Sequence, residues 1–330
     1  MTDPIFLASY DRGLTRAARD GSGAWTVQHL ATEHQVTRLA ADPTNPATLF
    51  AATRDGVLRS DDRGLTWQPR GLEGQIVKSI AVSPHDPQVV YAGLKPALLC
   101  VSRDGGQNWQ ELESFRRIPN RWWWFSPAEP PDMRAYVMDV AVSPTEPDVL
   151  LAGIEFGAVV RSEDGGRTWS RHRQGALRDC HSLKFHASDG AWAYEAGGTG
   201  GGAAFSQDGG RTFEKAKQGL AKHYGIVCGA DGQDPRTWYV CVGRSPGNSF
   251  GDDPEVYLYR SRNGAGWEPI GWQPHPMSTT PTALVGVPGA PGVLYAGLKN
   301  GDVRRTTDYG DTWQQLSFNL KGIWFSLLVI

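Results

Sequence analysis

The sequence predicts an all-β fold: a seven-bladed β-propeller with four-stranded antiparallel blades, its first blade closed by the C-terminal strand. Three observations carry that expectation. One eight-residue turn recurs along the chain, turn signals punctuate the intervening stretches every eight to twelve residues, and helical periodicity is absent over any useful length. Good copies of the turn are "SDDRGLTW" at 60, "SRDGGQNW" at 102, "SEDGGRTW" at 162, "SQDGGRTF" at 206 and "TTDYGDTW" at 306. Weaker copies, "ARDGSGAW" and "SRNGAGW", end at Trp25 and Trp267. The closing aromatics are separated by 42, 42, 60, 44, 54 and 46 residues, so seven units of forty-odd residues follow, two of them carrying insertions.

Each unit repeats one order of elements. A first strand ends in a Pro-bearing turn, as in "VTRLAADPTNP", "VKSIAVSPHDP" and "VMDVAVSPTEP". A second strand of aliphatic and small residues follows, such as "TLFAAT", "VVYAGL" and "VLLAGI". A loop leads to a third strand ("GVLRS", "AVVRS"), then to the repeated turn, whose aromatic opens a fourth strand. Four short strands with such turns describe an antiparallel blade, and a ring of blades leaves only short, protected edges. The ends fit closure. "IFLAS" near the N-terminus reads as a second strand without a first, and "GIWFSLLVI" at 322–330 is the spare strand that completes it. Residues 1–330 are therefore expected to form one propeller domain.

Composition sets bounds on function. A net charge of -2 over 330 residues gives no bulk attraction to nucleic acid. No stretch of eighteen apolar residues is present to span a membrane. "MTDPIFLASYDRG" has neither a basic n-region nor an apolar h-region, so a cytoplasmic location is expected. Cys100, Cys180, Cys228 and Cys241 are too few and too scattered for a disulfide framework and are expected to be buried thiols.

The repeated pattern Ser/Thr-x-Asp-x-Gly-x-Thr-Trp resembles the Asp-box, or BNR, repeat of sialidases, sortilin-type receptors, xyloglucanases and the photosystem II assembly factor. The resemblance covers the whole chain and specifies architecture, because those families share the box and little chemistry. Physics gives the box a structural task. The short acceptors Asp62, Asp104, Asp164, Asp208 and Asp308 can satisfy the turn's own N–H groups. Their glycines, two residues on, allow positive φ, and the aromatic folds inward as a plug.

Function is then expected in the irregular loops on the face opposite the Pro-bearing turns. Aligned second-to-third-strand loops give a column of Asp11, Arg54, Lys95, Glu155, Gly198, Arg244 and Lys299. Four cations around one axis read either as a solvated rim or as a positive field for an anionic group, with Glu155 as acid, base or acceptor. "YEAGGTGGGAAFS" at 194–206 is rich enough in glycine for close backbone approach, yet lacks the helix and lysine of a phosphate loop.

The insertion "ESFRRIPNRWWWFSPAEPPDMRAY" at 113–136 offers Trp122 and Trp124 for stacking and Arg117 and Arg121 for carboxylates, or else forms a lid with its own small core. "GDDPE" in the 243–257 insertion lacks ordered ligand spacing and reads as a solvent loop. At the starts of the fifth and sixth blades, "RDCHSLKFH" places Arg178, Asp179 and His181, and "KHYG" places His223 and Tyr224. A His–carboxylate cluster there can do acid–base work, with His181 and Asp179 beside Glu155 as the catalytic candidates. Histidines from separate blades could hold a metal only if they converge, which spacing does not show, so no metal or cofactor is expected.

"FRRIP" at 115–119 is similar to the sialidase Phe/Tyr-Arg-Ile-Pro signature, which implies that Arg117 holds a carboxylate. Sialidases, however, have six blades and place the signature before their first box. "NRWWWFSP", "GIEFG" and "RDCHSL" are similar to motifs of uncharacterised bacterial BNR-repeat proteins labelled glycosyl hydrolase or exo-sialidase. That likeness points to Arg121, Trp124, Glu155, Arg178 and His181. Two functions follow as expectations. One is a loop-face pocket that binds, and hydrolyses or cleaves, a carbohydrate-like or anionic small molecule. The other is a non-catalytic scaffold that uses the same face on a protein partner.

Overall fold

Seven antiparallel sheets succeed one another along the chain in a computed structural model that describes residues 3–10, 12–198, 200–263, 266–273 and 275–330. Blade one comprises Phe6–Ser9, Leu14–Arg19 and Trp25–Leu30, and Leu327–Val329 closes it. Blades two and three begin at Val36–Ala41 and Ile76–Val82, and blades four and five at Val137–Val142 and Cys180–Phe185. Blades six and seven begin at Tyr224–Ala230 and Pro281–Gly286. These first strands lie side by side around the axis, with Leu327–Val329 between those of blades seven and two. The closing strand pairs antiparallel with blade one, Phe6 opposite Val329 and Ala8 opposite Leu327, so the ends of the chain zip the ring.

Six sheets have four strands, while blade four has three: Val137–Val142, Leu150–Ile154 and Val159–Ser162. The expected fourth strand after Trp169 is irregular: the Ser170 and Arg173 N–H groups bond the Arg161 and Val159 carbonyls, and side chains take the remaining edge groups. His172 Nδ1 and Ser170 Oγ accept the edge N–H groups of Val159 and Arg161. The edge is satisfied without a regular ladder.

The core is divided into seven apolar wedges, one between each pair of neighbouring blades. Each box aromatic packs into one wedge: Trp25, Trp67, Trp109, Trp169, Phe213, Trp267 and Trp313. The plug therefore sits between blades, rather than between strands of one blade. Small residues in the second strands have the same cause. A Cβ on Gly93 would come within 2.6 Å of Val137 in blade four, and one on Gly153 within 2.3 Å of Cys180 in blade five.

The turn chemistry repeats atom by atom. Asp164 Oδ1 accepts from Ser162 Oγ and the Thr168 N–H, its Oδ2 accepts from Thr168 Oγ1, and Ser162 Oγ accepts the Gly166 N–H. Asp62, Asp208 and Asp308 make the same set, and Asn108 replaces the threonine opposite Asp104. Gly166 adopts a φ of 89°, a conformation that favours glycine. The four cysteines are buried and free. Cys228 and Cys241 face opposite wedges of blade six, which explains why adjacent strands do not bring them together.

Candidate functional site

A cavity of about 1440 Å³ opens on the face opposite the Pro-bearing turns and is lined from every blade. Register places its walls. The N–H groups of Arg54, Glu155, Gly198 and Lys299 each bond the carbonyl of a residue just before the next-inward strand: Gln35, Tyr136, Asp179 and Thr280. The column aligned from sequence is thus one structural position around the axis. Its Asp11 lies outside the described residues.

A second column emerges from the first strands. Six of them carry a bulge at Thr37, Lys78, Met138, His181, Ile226 and Thr282. Bulges re-aim a side chain. Thr37 and Thr282 use theirs to donate forward to Val77 and Ile323 carbonyls at 2.7 Å. His181 makes the equivalent bond, with Nδ1 2.6 Å from the Gly225 carbonyl oxygen of blade six. A carbonyl only accepts, so Nδ1 carries the proton and Nε2 is turned to the cavity floor.

There Nε2 stands 3.5 Å from Asp179 Oδ1 and 3.8 Å from Glu155 Oε2. All three side chains line the cavity, although each residue is more than nine-tenths buried. Burial pushes the Glu155 carboxyl up to about 7 against the pull of His181. Burial alone would lower His181, but Asp179 and Glu155 raise it. Such a floor can hold and move a proton near neutrality. Tyr224 packs on His181 with ring centroids 5.0 Å apart. Gly198 leaves the necessary room, since a Cβ there would lie 2.2 Å from Asp179 and 2.8 Å from His181. The glycine-rich loop approaches this cluster.

The basic residues of the mouth are met by acids from the insertions. Glu129, in the first insertion, lies 2.7 Å from Lys78, 2.8 Å from Lys95 and 3.3 Å from Arg54. Burial raises the Glu129 carboxyl, but the ammonium groups outweigh it and hold it down at about 2. Glu255, in the second insertion, lies 2.6 Å from Lys222 and 3.8 Å from Arg244. Lys299 donates to the Phe250 carbonyl. His223 lines the same wall.

The 113–136 insertion is both lid core and exposed surface. Phe115 is buried between Trp124 and Trp169, and Arg121 lies over Phe115 and Trp124 while donating to the Phe115 and Ala97 carbonyls. Arg121 and Trp124 thereby hold the loop together. Trp122 and Trp123 stack on each other, 75% and 66% exposed. Arg117 is exposed beside Glu111, Glu113 and Arg116, away from the central cavity. Arg178 lines a separate groove of about 1110 Å³ between this loop and blade five, together with Trp123 and Trp124.

Glu129 was missed from the sequence, where the 113–136 insertion is read for its tryptophans and arginines. The pairing with Lys78 and Lys95 depends on how the insertion folds back. Trp324 and Phe325, read as strand residues, instead line the cavity wall. Aligning the bulge position would have flagged His181 as the histidine in a column where threonine also occurs.

No protein-family model matches the chain. It is similar to the photosystem II assembly lipoprotein Ycf48 of Synechococcus, 25% identical over 311 residues that cover 91% of this chain and 80% of that protein. Among solved structures it resembles the GH74 xyloglucanase of Xanthomonas campestris, with a TM-score of 0.72 and 20% identity over 96% of this chain. The chain spans 52% of that enzyme's length. It also resembles YCF48 bound to D1 peptide, with a TM-score of 0.61 and 17% identity, covering 94% of this chain and 87% of that one. With seven wedges closed by seven box aromatics, the chain is a seven-bladed β-propeller whose blades repeat an Asp-box-like turn.

Proposed function

We propose that this propeller is a non-catalytic scaffold that receives an extended segment of a partner protein across its loop face. The observation that carries the reading is the apolar rim. Among the described residues eight large apolar side chains stand exposed, and of these Tyr10, Trp122, Trp123, Phe125, Met133 and Trp324 belong to loops of that face. Exposed aromatics concentrated on one side mark an interaction surface, and tryptophans dominate such interfaces energetically. The mouth's cations already have partners in Glu129 and Glu255, which leaves apolar contact as the surface's main unmet demand. A structurally similar propeller, YCF48, is known with a D1 peptide bound, which supports a polypeptide as occupant.

The test is selection of peptides from a displayed random library on the immobilised chain, followed by fluorescence anisotropy. Changing Trp122 and Trp123 together to Ala should weaken a selected peptide by at least about tenfold, the loss of a modest hot spot. Failure to select any peptide, or unchanged affinity in the double variant, overturns the reading.

The floor favours a second reading, because Glu155 and His181 lie 3.8 Å apart in a buried site open to the cavity. That geometry suits a carbohydrate-like or anionic small molecule handled by acid–base chemistry. A thermal-shift screen of sugars, uronates and carboxylates should then give a stabilising ligand whose effect is lost in Glu155→Gln.

A further inference from the structure

We infer that Glu155, Asp179 and His181 form a binding site for a single divalent cation of the zinc or manganese class, facing the central cavity. This does not depend on either reading of the loop face. One donor atom from each of the three residues lies within 4.8 Å of the other two, and all three residues are buried. The distances from His181 Nε2, 3.5 Å and 3.8 Å, are close to the spacing of ligands sharing one ion. Tetrahedral ligands at about 2.1 Å from a metal stand about 3.4 Å apart.

The second observation is an unsatisfied acceptor. Glu155 is 5% exposed, and its Oε2, the atom turned to His181, has no hydrogen-bond partner among the described residues. A buried carboxylate oxygen left without a donor is costly, and a cation at that point removes the cost.

The imidazole is prepared in the way metal-binding histidines are. Its Nδ1–H is committed to the Gly225 carbonyl, which fixes ring orientation and leaves the Nε2 lone pair aimed between two carboxylates. Two anions facing Nε2 favour a positive species between them, and a divalent ion there displaces the proton that the same groups otherwise hold. Two carboxylates and one imidazole match the charge of a divalent ion and suit Zn²⁺ or Mn²⁺. Three protein ligands leave further positions for water or for an oxygen donor of a molecule in the cavity. Gly198 supports the geometry by keeping a Cβ out of the space beside Asp179, His181 and Tyr224.

The experiment uses the full chain without an affinity tag, stripped with chelator and dialysed. Isothermal titration with ZnCl₂, and separately MnCl₂, is compared for wild type, Glu155→Gln and His181→Thr. The threonine variant keeps the inter-blade bond that Thr37 and Thr282 make, and Glu155→Gln preserves shape, so the two test folding independently. Metal-free melting curves confirm that each variant is native. The expected result is one equivalent of at least one metal bound by wild type, a raised melting temperature, and at least tenfold weaker binding in both variants. Neither metal binding wild type stoichiometrically overturns the site. So does binding that is unchanged in either native variant, because the ion then sits elsewhere.

Discussion

His181 reaches across the boundary between blades five and six to donate from Nδ1 to the Gly225 carbonyl, 2.6 Å away. The bond is a repeat feature, for Thr37 and Thr282 make its counterparts at two other boundaries. What is particular to blade five is the second nitrogen. His181→Thr should therefore fold and retain the boundary, whereas His181→Ala loses the bond as well and should melt lower, by about 1 kcal/mol of stability. Equal melting temperatures for the two variants would show that the bond contributes nothing.

Gly225 is fixed by its neighbours on the same boundary. A Cβ there would lie 1.9 Å from the Gly202 carbonyl and 2.7 Å from the Gly197 amide nitrogen, both rigid backbone atoms. Gly225→Ala should destabilise by about 2–4 kcal/mol, because backbone rather than a side-chain tip must move. Denaturant unfolding checks this, and a loss under about 1 kcal/mol would mean that the boundary is soft.

Glu129 anchors the insertion to the mouth. Its carboxyl is held at about 2 by Lys78 and Lys95, so its stabilisation is present above the ordinary carboxylate range and is lost as pH falls from about 4.5 through about 2. Glu129→Gln leaves Lys95, whose side chain is 1% exposed, with a weaker acceptor, and should cost about 1–3 kcal/mol. Hydrogen exchange over residues 113–136 should rise in that variant at neutral pH. It should rise in the wild type only below about pH 4.

The boxes are predicted to behave as independent fasteners. Asp62→Ala and Asp208→Ala each remove a set of turn bonds, and each should cost about 1–2 kcal/mol. The two turns belong to blades two and five, so the double variant should be additive within about 0.5 kcal/mol. Peptide selection should be unaffected, since the boxes stand away from the loop face.

Closure makes the C-terminal strand indispensable. Removing residues 322–330 deletes the pairing of Leu327–Val329 with Phe6–Ala8 and the contribution of Ile323 and Leu327 to the wedge between blades seven and one. The truncated chain should lose cooperative unfolding altogether. A truncated chain that melts cooperatively at the wild-type temperature would refute the closed ring.

The fold was legible because it is written locally and seven times. Asp164, Gly166 and Trp169 satisfy, bend and plug a turn with atoms a few residues apart, and that grammar is visible without tertiary structure. The column containing Arg54, Glu155 and Lys299 was legible for the same reason: repetition supplies its own alignment. What repetition does not encode is pairing between irregular segments. Glu129 meets Lys78 and Lys95 across 51 and 34 residues of chain through a loop with no periodic partner, so only the folded insertion decided that the mouth's cations are occupied. The sequence by itself determined the ring, its closure and the aligned column of loop positions at its mouth. The tertiary structure alone decided that Glu155, Asp179 and His181 meet. The bulge in blade five turns the imidazole toward carboxylates from two blades, and convergence of that kind depends on distances that spacing along a chain does not carry.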